Sequence, residues 1–198
     1  MKKTRRLDKT IILLLIFTNC AVPFHSAETL NRGEQKFSRG YSLFNNFSIR
    51  YDVGVTGVTD FGLGLDLPIP FSPLVFCKVK QHLLPLPPKE KGLKILAVGS
   101  VGITTPEIYY YYYLYGGLLG LRTGKNTLFT LGVAQLKDPR YSYDLFNNKV
   151  IEEVYYTVYG GVEFKKYIIQ IQYIQRKDPE HSGIINLGIG FKEIIGSK

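Results

Sequence analysis

The sequence predicts an all-β chain: an antiparallel up-and-down β-barrel of 8–10 strands, membrane-type. Three observations predict it. Apolar and polar residues alternate with a period of two through segment after segment, which is the period of a strand. Several of these segments come close to the 9–11 residues that a tilted strand needs to cross hydrocarbon. Their polar face carries glycine as much as charge, at Gly54, Gly62, Gly64, Gly132, Gly161, Gly188 and Gly190. Glycine weakens a strand that faces water and adds nothing to solubility. Inside a narrow barrel it has a use, because large side chains have no room there.

Composition sets the outer limits. The chain has 198 residues, 45% of them apolar and 21% charged, with 15 Tyr, 12 Phe, 20 Gly, no Trp and one Met. That length suits one domain, and abundant Tyr and Gly favour β structure. Two cysteines cannot build a disulfide framework. No apolar run approaches about 18 residues, so a membrane-spanning helix is excluded.

Residues 1–27 have the parts of an export signal. Lys2, Lys3, Arg5, Arg6 and Lys9 precede the apolar run Ile11 to Phe17, and a polar cleavage zone follows. The alternative, a buried N-terminal element, is disfavoured by five cations directly before it. Two exits from the signal fit. Cys20 directly after the apolar run resembles a lipobox, which would make the cysteine a lipidation candidate and 1–19 the signal. Asn19 before it and Phe17 at −3 depart from that pattern. The other exit is ordinary cleavage near Ser26-Ala27. The full chain carries 25 cations and 16 anions, net +9. Residues 1–19 hold five cations and one anion, so residues 20–198 hold 20 against 15, net +5. The basic balance is therefore partly a targeting feature. No basic stripe with interleaved aromatics appears, and no nucleic-acid partner is expected.

Residues 28–45 are polar and form a tether or hold the first strand. From there the alternation is explicit. Phe47, Ile49, Tyr51, Val53 and Val55 share one face and Ser48, Arg50, Asp52 and Gly54 the other. A turn at 56–60 leads to Phe61, Leu63, Leu65 and Leu67 against Gly62, Gly64 and Asp66, completing a hairpin. A strand over 74–83 sets Val75, Cys77 and Val79 against Phe76, Lys78, Lys80 and His82. After the Pro-rich 84–92 stretch, 93–103 is apolar on both faces. Strands follow over 108–121, from the tyrosine run 109–113, and over 127–136. Lys137 to Glu153 is a long break. Strands over 154–164, 167–176 and 184–192 complete the pattern, and 193–198 is a tail.

These are nine strands. If the long 137–153 connection lies outside, then 68–73, 104–107 and 177–183 lie with it, and the short turns 56–60, 122–126 and 165–166 lie opposite, together with 84–92. An odd count would start the chain on the wrong side, so eight or ten strands are expected. The missing one falls near 36–46 or one has been miscounted.

The inward face then carries both signs and amides: Arg50, Asp52, Asp66, Lys78, Lys80, Glu163, Gln170, Gln172 and Lys192. Small barrels fill their interiors with such groups. The alternative is that they wet one side of a soluble sheet. Tyr51, Tyr109, Tyr111, Tyr113, Tyr156, Tyr167 and Tyr173 suit a water–lipid boundary, and ordinary β-propensity accounts for them equally well. Lys and Glu gathered in 88–94, 137–153, 163–166 and 176–180 read mainly as strand ends and loops.

Catalytic chemistry is sparse. The three histidines are His25, His82 and His181, none in a nucleophile–base arrangement beyond the loop pair His181-Ser182. No Cys/His set has zinc spacing. Gly62-Leu-Gly-Leu-Asp66 opens no helix and is not a phosphate loop. Cys77 reads as an unpaired buried thiol. No catalytic residue, cofactor or metal is expected.

The stretch Ile49-Arg-Tyr-Asp-Val-Gly-Val-Thr-Gly-Val-Thr-Asp-Phe-Gly-Leu-Gly-Leu65, with the terminal Ile184-Ile-Asn-Leu-Gly-Ile-Gly-Phe191, resembles small bacterial outer-membrane β-barrel proteins over about residues 46–192. Asp52 stands where that pattern has Gly, and Lys192 to Lys198 follow the final aromatic. The resemblance implies export to the bacterial outer membrane. It implies the lipid bilayer and the outer-membrane insertion machinery as partners, and a structural, adhesive or small-pore role without enzymatic activity. With Cys20 lipidated, the chain would be a barrel-type lipoprotein. Two other readings remain: a lipid-tethered periplasmic soluble β-barrel binding an apolar ligand, and a lipid-modifying outer-membrane enzyme.

Overall fold

In a computed structural model of the chain, the described residues are 25–42, 47–67, 73–84, 90–104, 111–137, 143–144, 149–150, 154–176 and 183–196. Strands run over Gln35–Ser42 (β1), Phe47–Gly54 (β2), Thr59–Leu67 (β3), Leu74–His82 (β4), Gly92–Thr104 (β5), Tyr111–Arg122 (β6) and Thr127–Lys137 (β7). Then come Tyr143–Asp144 (β8), Lys149–Val150 (β9), Tyr155–Phe164 (β10), Tyr167–Arg176 (β11) and Ile184–Ile195 (β12). Strands β8 and β9 pair only with each other. The other ten close a barrel in the order β1-β12-β11-β10-β7-β6-β5-β4-β3-β2, every pair antiparallel.

The count is therefore ten, and β1 is the strand that the alternation from residue 47 onward did not include. Its first residue Gln35 pairs with Ile195 on one side and Val53 on the other. This pairing closes the sheet and removes its edges. Barrel residues thus begin at 35 rather than 46. The last strand continues to Ile195, past the aromatic Phe191 and past 192.

The two ends differ. One carries short turns at 55–58, 123–126 and 165–166, together with the 83–91 connection. The chain's entry into β1 and the end of β12 lie at this end too. Gly57 has φ 80° in the first turn, a conformation that glycine adopts without strain. Backbone bonds knit neighbouring turns together: Lys165 N donates to Asn126 O at 2.8 Å, and Lys192 N donates to Lys166 O at 2.8 Å. At the other end lie the connections between β1 and β2, β3 and β4, β5 and β6, β7 and β10, and β11 and β12.

The faces follow the alternation. Phe61 is 42% exposed, Leu63 52%, Ile185 59% and Ile189 58%, whereas Asp66 is 2% and Gln170 1%. Large apolar side chains lie exposed on the outside of all ten barrel strands, from Tyr41 on β1 and Tyr51 on β2 round to Leu187 on β12. The inside holds the charged and amide groups. Strand β5, apolar on both faces in sequence, turns Leu96 and Val98 inward and Leu93, Val101 and Ile103 outward.

Candidate functional site: the filled lumen

The interior is built first from alternation, which sends every second residue to the axis. Asp52 on β2 meets Lys78 on β4 at 2.8 Å and Lys36 on β1 at 3.9 Å. Asp60 on β3 meets Lys80 on β4 at 2.9 Å. Arg50 meets Asp66 at 3.0 Å, and Ser48 Oγ donates to the same carboxylate at 2.7 Å. Lys192 on β12 binds Glu163 on β10, and Gln172 Nε2 donates to Thr157 Oγ1 at 2.8 Å. Glycine makes room for these groups: a Cβ at Gly62 would strike the Asp52 carboxylate and the Lys78 chain.

All nine sequence-predicted lumen residues lie on the inward face, and eight are buried. Lys192 is half-buried at the tight-turn mouth, its side chain largely covered. The structure adds Lys36, Asp60, Lys94 and Arg122, all buried and inward. Asp60 and Arg122 fall in the turns 56–60 and 122–126 that the sequence predicts, and Lys94 at the charged start of the predicted strand 93–103. Strands β3 and β6 extend one or two residues further than the alternation predicts, which turns Asp60 and Arg122 inward.

A second component is the segment 25–34, which sequence read as signal and tether. His25 to Leu30 are all buried within the barrel. A turn at Arg32-Gly33, with Gly33 at φ 78°, anchors the segment to β2: Gly33 N donates to Gly54 O at 2.8 Å and Gly54 N to Glu34 O at 2.9 Å. From there the chain runs up the lumen. Leu30 N donates to Asp60 Oδ1 at 3.2 Å, and Ala27 N to Thr130 Oγ1 at 3.2 Å. Ser26 Oγ donates to Glu163, and Gln170 Nε2 to His25 O at 3.3 Å. The His25 ring packs 5.3 Å from that of Tyr159. Ala27 lies against Gly120, where a Cβ would meet its methyl.

Glu28 is the electrostatic reason for this placement. Its carboxylate meets Lys192 at 2.6 Å, Arg122 at 3.0 Å and Lys36 at 3.8 Å, while Lys80 Nζ donates to its carbonyl at 2.6 Å. Burial opposes ionisation, but Lys36, Lys192 and Arg122 outweigh it and hold the carboxyl well below the usual range. Seven inward cations on the described wall, Lys36, Arg50, Lys78, Lys80, Lys94, Arg122 and Lys192, face four wall carboxylates, Asp52, Asp60, Asp66 and Glu163. Glu28 and Glu34 bring the carboxylates to six. Unpaired charge in a closed interior is costly, so the wall itself demands acidic filling. That excess is the signal by which the sequence could have revealed the segment.

Further toward the long-connection end the filling becomes apolar. Leu74, Phe76, Tyr112, Leu114, Leu136, Tyr155 and Ile174 form one buried cluster with Leu96, Leu118 and Tyr159. Phe76 packs 5.8 Å from Tyr112, and the Arg50 guanidinium lies 4.7 Å over the Phe76 ring. The glycine opposite is obligatory in kind: a Cβ at Gly64 would enter the Phe76 ring, and one at Gly132 the Tyr159 ring.

The other sequence candidates separate. His82 is buried at the tight-turn end of β4 beside Lys80 and Lys94. Cys77 is a free thiol, half-buried on the outward face rather than buried inside. Tyr51, Tyr111, Tyr113, Tyr156, Tyr167 and Tyr173 face outward. Cys20, Tyr109 and His181 lie outside the described residues. Among the described residues no cluster of three metal-ligating side chains occurs. No protein family, curated protein or solved structure matches the chain.

Proposed function

We propose that the protein is a bacterial outer-membrane β-barrel with a structural or adhesive role, its lumen closed by its own N-terminal segment. One observation carries the reading: a continuous apolar belt faces outward on all ten barrel strands while ionic pairs lie buried within. In water such a surface is an association liability far beyond ordinary patch sizes. In a bilayer it is the solvent match that a barrel needs. The strands, 8–13 residues long, have the reach to cross hydrocarbon. Snorkelling cations fit its edge: Lys165 and Lys166 extend over the outward rings of Phe164 and Tyr167 at 5.5 and 5.6 Å. The basic and apolar pattern of residues 1–19 supports export.

Among a structural, adhesive and small-pore role, the filled lumen argues against the pore. The ionic half is occupied by residues 25–30, and the other half by packed aromatic and aliphatic side chains. The long connections are the parts left to meet a partner.

The decisive test introduces charge into the belt. Leu187 faces outward on β12, paired with Ile171 near the middle of β11. In lipid vesicles Leu187→Arg is expected to lower unfolding free energy by about 2–4 kcal/mol, and the wild-type chain to show heat-modifiable gel mobility. A wild-type chain that stays monomeric in detergent-free buffer, with Leu187→Arg unchanged in stability, overturns the membrane reading in favour of a soluble barrel.

A further inference from the structure

We infer that the tight-turn mouth of the barrel holds a binding site for a phosphate-bearing anion. A pocket of about 240 Å³ opens there, walled by Arg122, Lys125, Lys165, Lys166 and Lys192, with Glu28 in its floor. Five cations surround one carboxylate, and that carboxylate is already engaged by Arg122 and Lys192. Among the described residues no carboxylate pairs with Lys125, Lys165 or Lys166. The Lys165 and Lys166 ammonium groups rest over the outward Phe164 and Tyr167 rings at the outer edge of the rim, free of any ion pair that a bound anion would have to break.

The backbone that carries these side chains is held in place. Lys165 N bonds to Asn126 O, Lys192 N to Lys166 O, and Arg122 Nη1 donates to Lys125 O at 3.3 Å. These bonds lock two turns and the end of β12 into one frame, so the cost of ordering the site is met by folding. Arg122 is buried, and its Nε has no hydrogen-bond partner among the described residues.

The chemistry selects phosphate over a single carboxylate. A tetrahedral phosphate group, whether monoester or diester, offers several oxygens to cations converging from different directions, and both guanidinium and ammonium groups bind it strongly. A planar carboxylate presents its two oxygens in one plane and meets fewer of these directions. The volume exceeds what one phosphate group fills, so room remains for the glycerol or sugar that carries it. Such a group could reach the pocket from a lipid headgroup or from solution, because Lys165 and Lys166 lie where the apolar belt ends.

The test uses the full chain folded in neutral detergent. Thermal unfolding is followed with inorganic phosphate against sodium chloride of equal ionic strength, and binding to phosphatidylglycerol vesicles against phosphatidylcholine vesicles. Lys125→Ala/Lys166→Ala removes two rim charges that take no part in the internal ion pairs. The expected result is a phosphate-specific rise in unfolding midpoint, or a preference for phosphatidylglycerol, that falls at least tenfold in apparent affinity in the double variant. A midpoint rise marks the soluble source, and vesicle preference without it marks the headgroup. Neither response in the wild type, or equal responses in wild type and double variant, overturns the site.

Discussion

The two halves of the lumen solve one problem by opposite means. Toward the tight turns, the barrel is filled with charge: wall cations, wall carboxylates and an entering strand of backbone carrying Glu28. Toward the long connections it is filled mainly with rings and aliphatic chains around Phe76, Tyr112 and Tyr155, with the Arg50–Asp66 pair set against the Phe76 ring. The apolar half needs only volume, so its residues can come from the wall. The ionic half needs charge balance as well as volume, and there the wall supplies Lys36, Lys78, Lys80, Lys94, Arg122 and Lys192 against Asp52, Asp60 and Glu163. The remaining acid comes from outside the sheet. The lesson is that a segment with no strand pattern of its own can be fixed by the electrostatic deficit of the surface around it.

The sharpest way to break this comparison is Glu28→Ala. It leaves Arg122, Lys36 and Lys192 short of a buried partner, and breaking such a network costs about 3–5 kcal/mol. Urea unfolding in detergent measures the loss. The pH dependence gives a second readout. Because the folded carboxyl titrates below the ordinary glutamate value of 4.5, its contribution is complete above that value and is lost as pH falls toward the folded pKa. Wild-type stability is expected to decline with acid below about pH 4.5 more steeply than that of Glu28→Ala. Equal stability and equal slopes would show the segment to be a passenger.

Phe76→Ala probes the other half. Removing a buried ring costs about 3 kcal/mol or more, here with loss of the Arg50 contact. Because the two sites share no partner, the double variant Glu28→Ala/Phe76→Ala is expected to show the sum of the single losses within about 0.5 kcal/mol. A larger coupling would show that the halves fold as one interdependent core.

The smallest effect concerns the outer face, which both halves share. Arg39 faces outward in the middle of β1, between Ile49 and Phe191 of its neighbours. Glu193, its diagonal neighbour on β12, is also outward and exposed. A charge on a lipid face is tolerated at a depth-dependent cost, so Arg39→Leu is expected to stabilise the barrel in vesicles by about 1 kcal/mol and to leave detergent stability nearly unchanged. Destabilisation in vesicles would mean that Arg39 has a partner at the seam where the barrel closes.

Much of the fold was legible in the residues. Strict alternation at Phe61-Gly-Leu-Gly-Leu65 and Ile185-Asn-Leu-Gly-Ile189 fixed which side chains share a face, because a strand allows two directions and no others. Arg50, Asp52, Lys78 and Gln170 could be grouped from that rule alone. The side-by-side order of connections gave an even strand count before any pairing was known. Strand β1 was harder to see. Gln35, Arg39 and Ser42 blur its alternation, and what completes it is pairing on both sides with β12 and β2.

By itself, then, the sequence determined the strands, their two faces and the charge of the inner one, since these follow from local period and chemistry. Only the tertiary structure decided which charges meet, that residues 25–34 thread the lumen, and that Arg122, Lys125, Lys165, Lys166 and Lys192 surround one pocket. Those are properties of closure. They depend on residues far apart in the chain being brought round a cylinder, and no local pattern records the register at which the cylinder shuts.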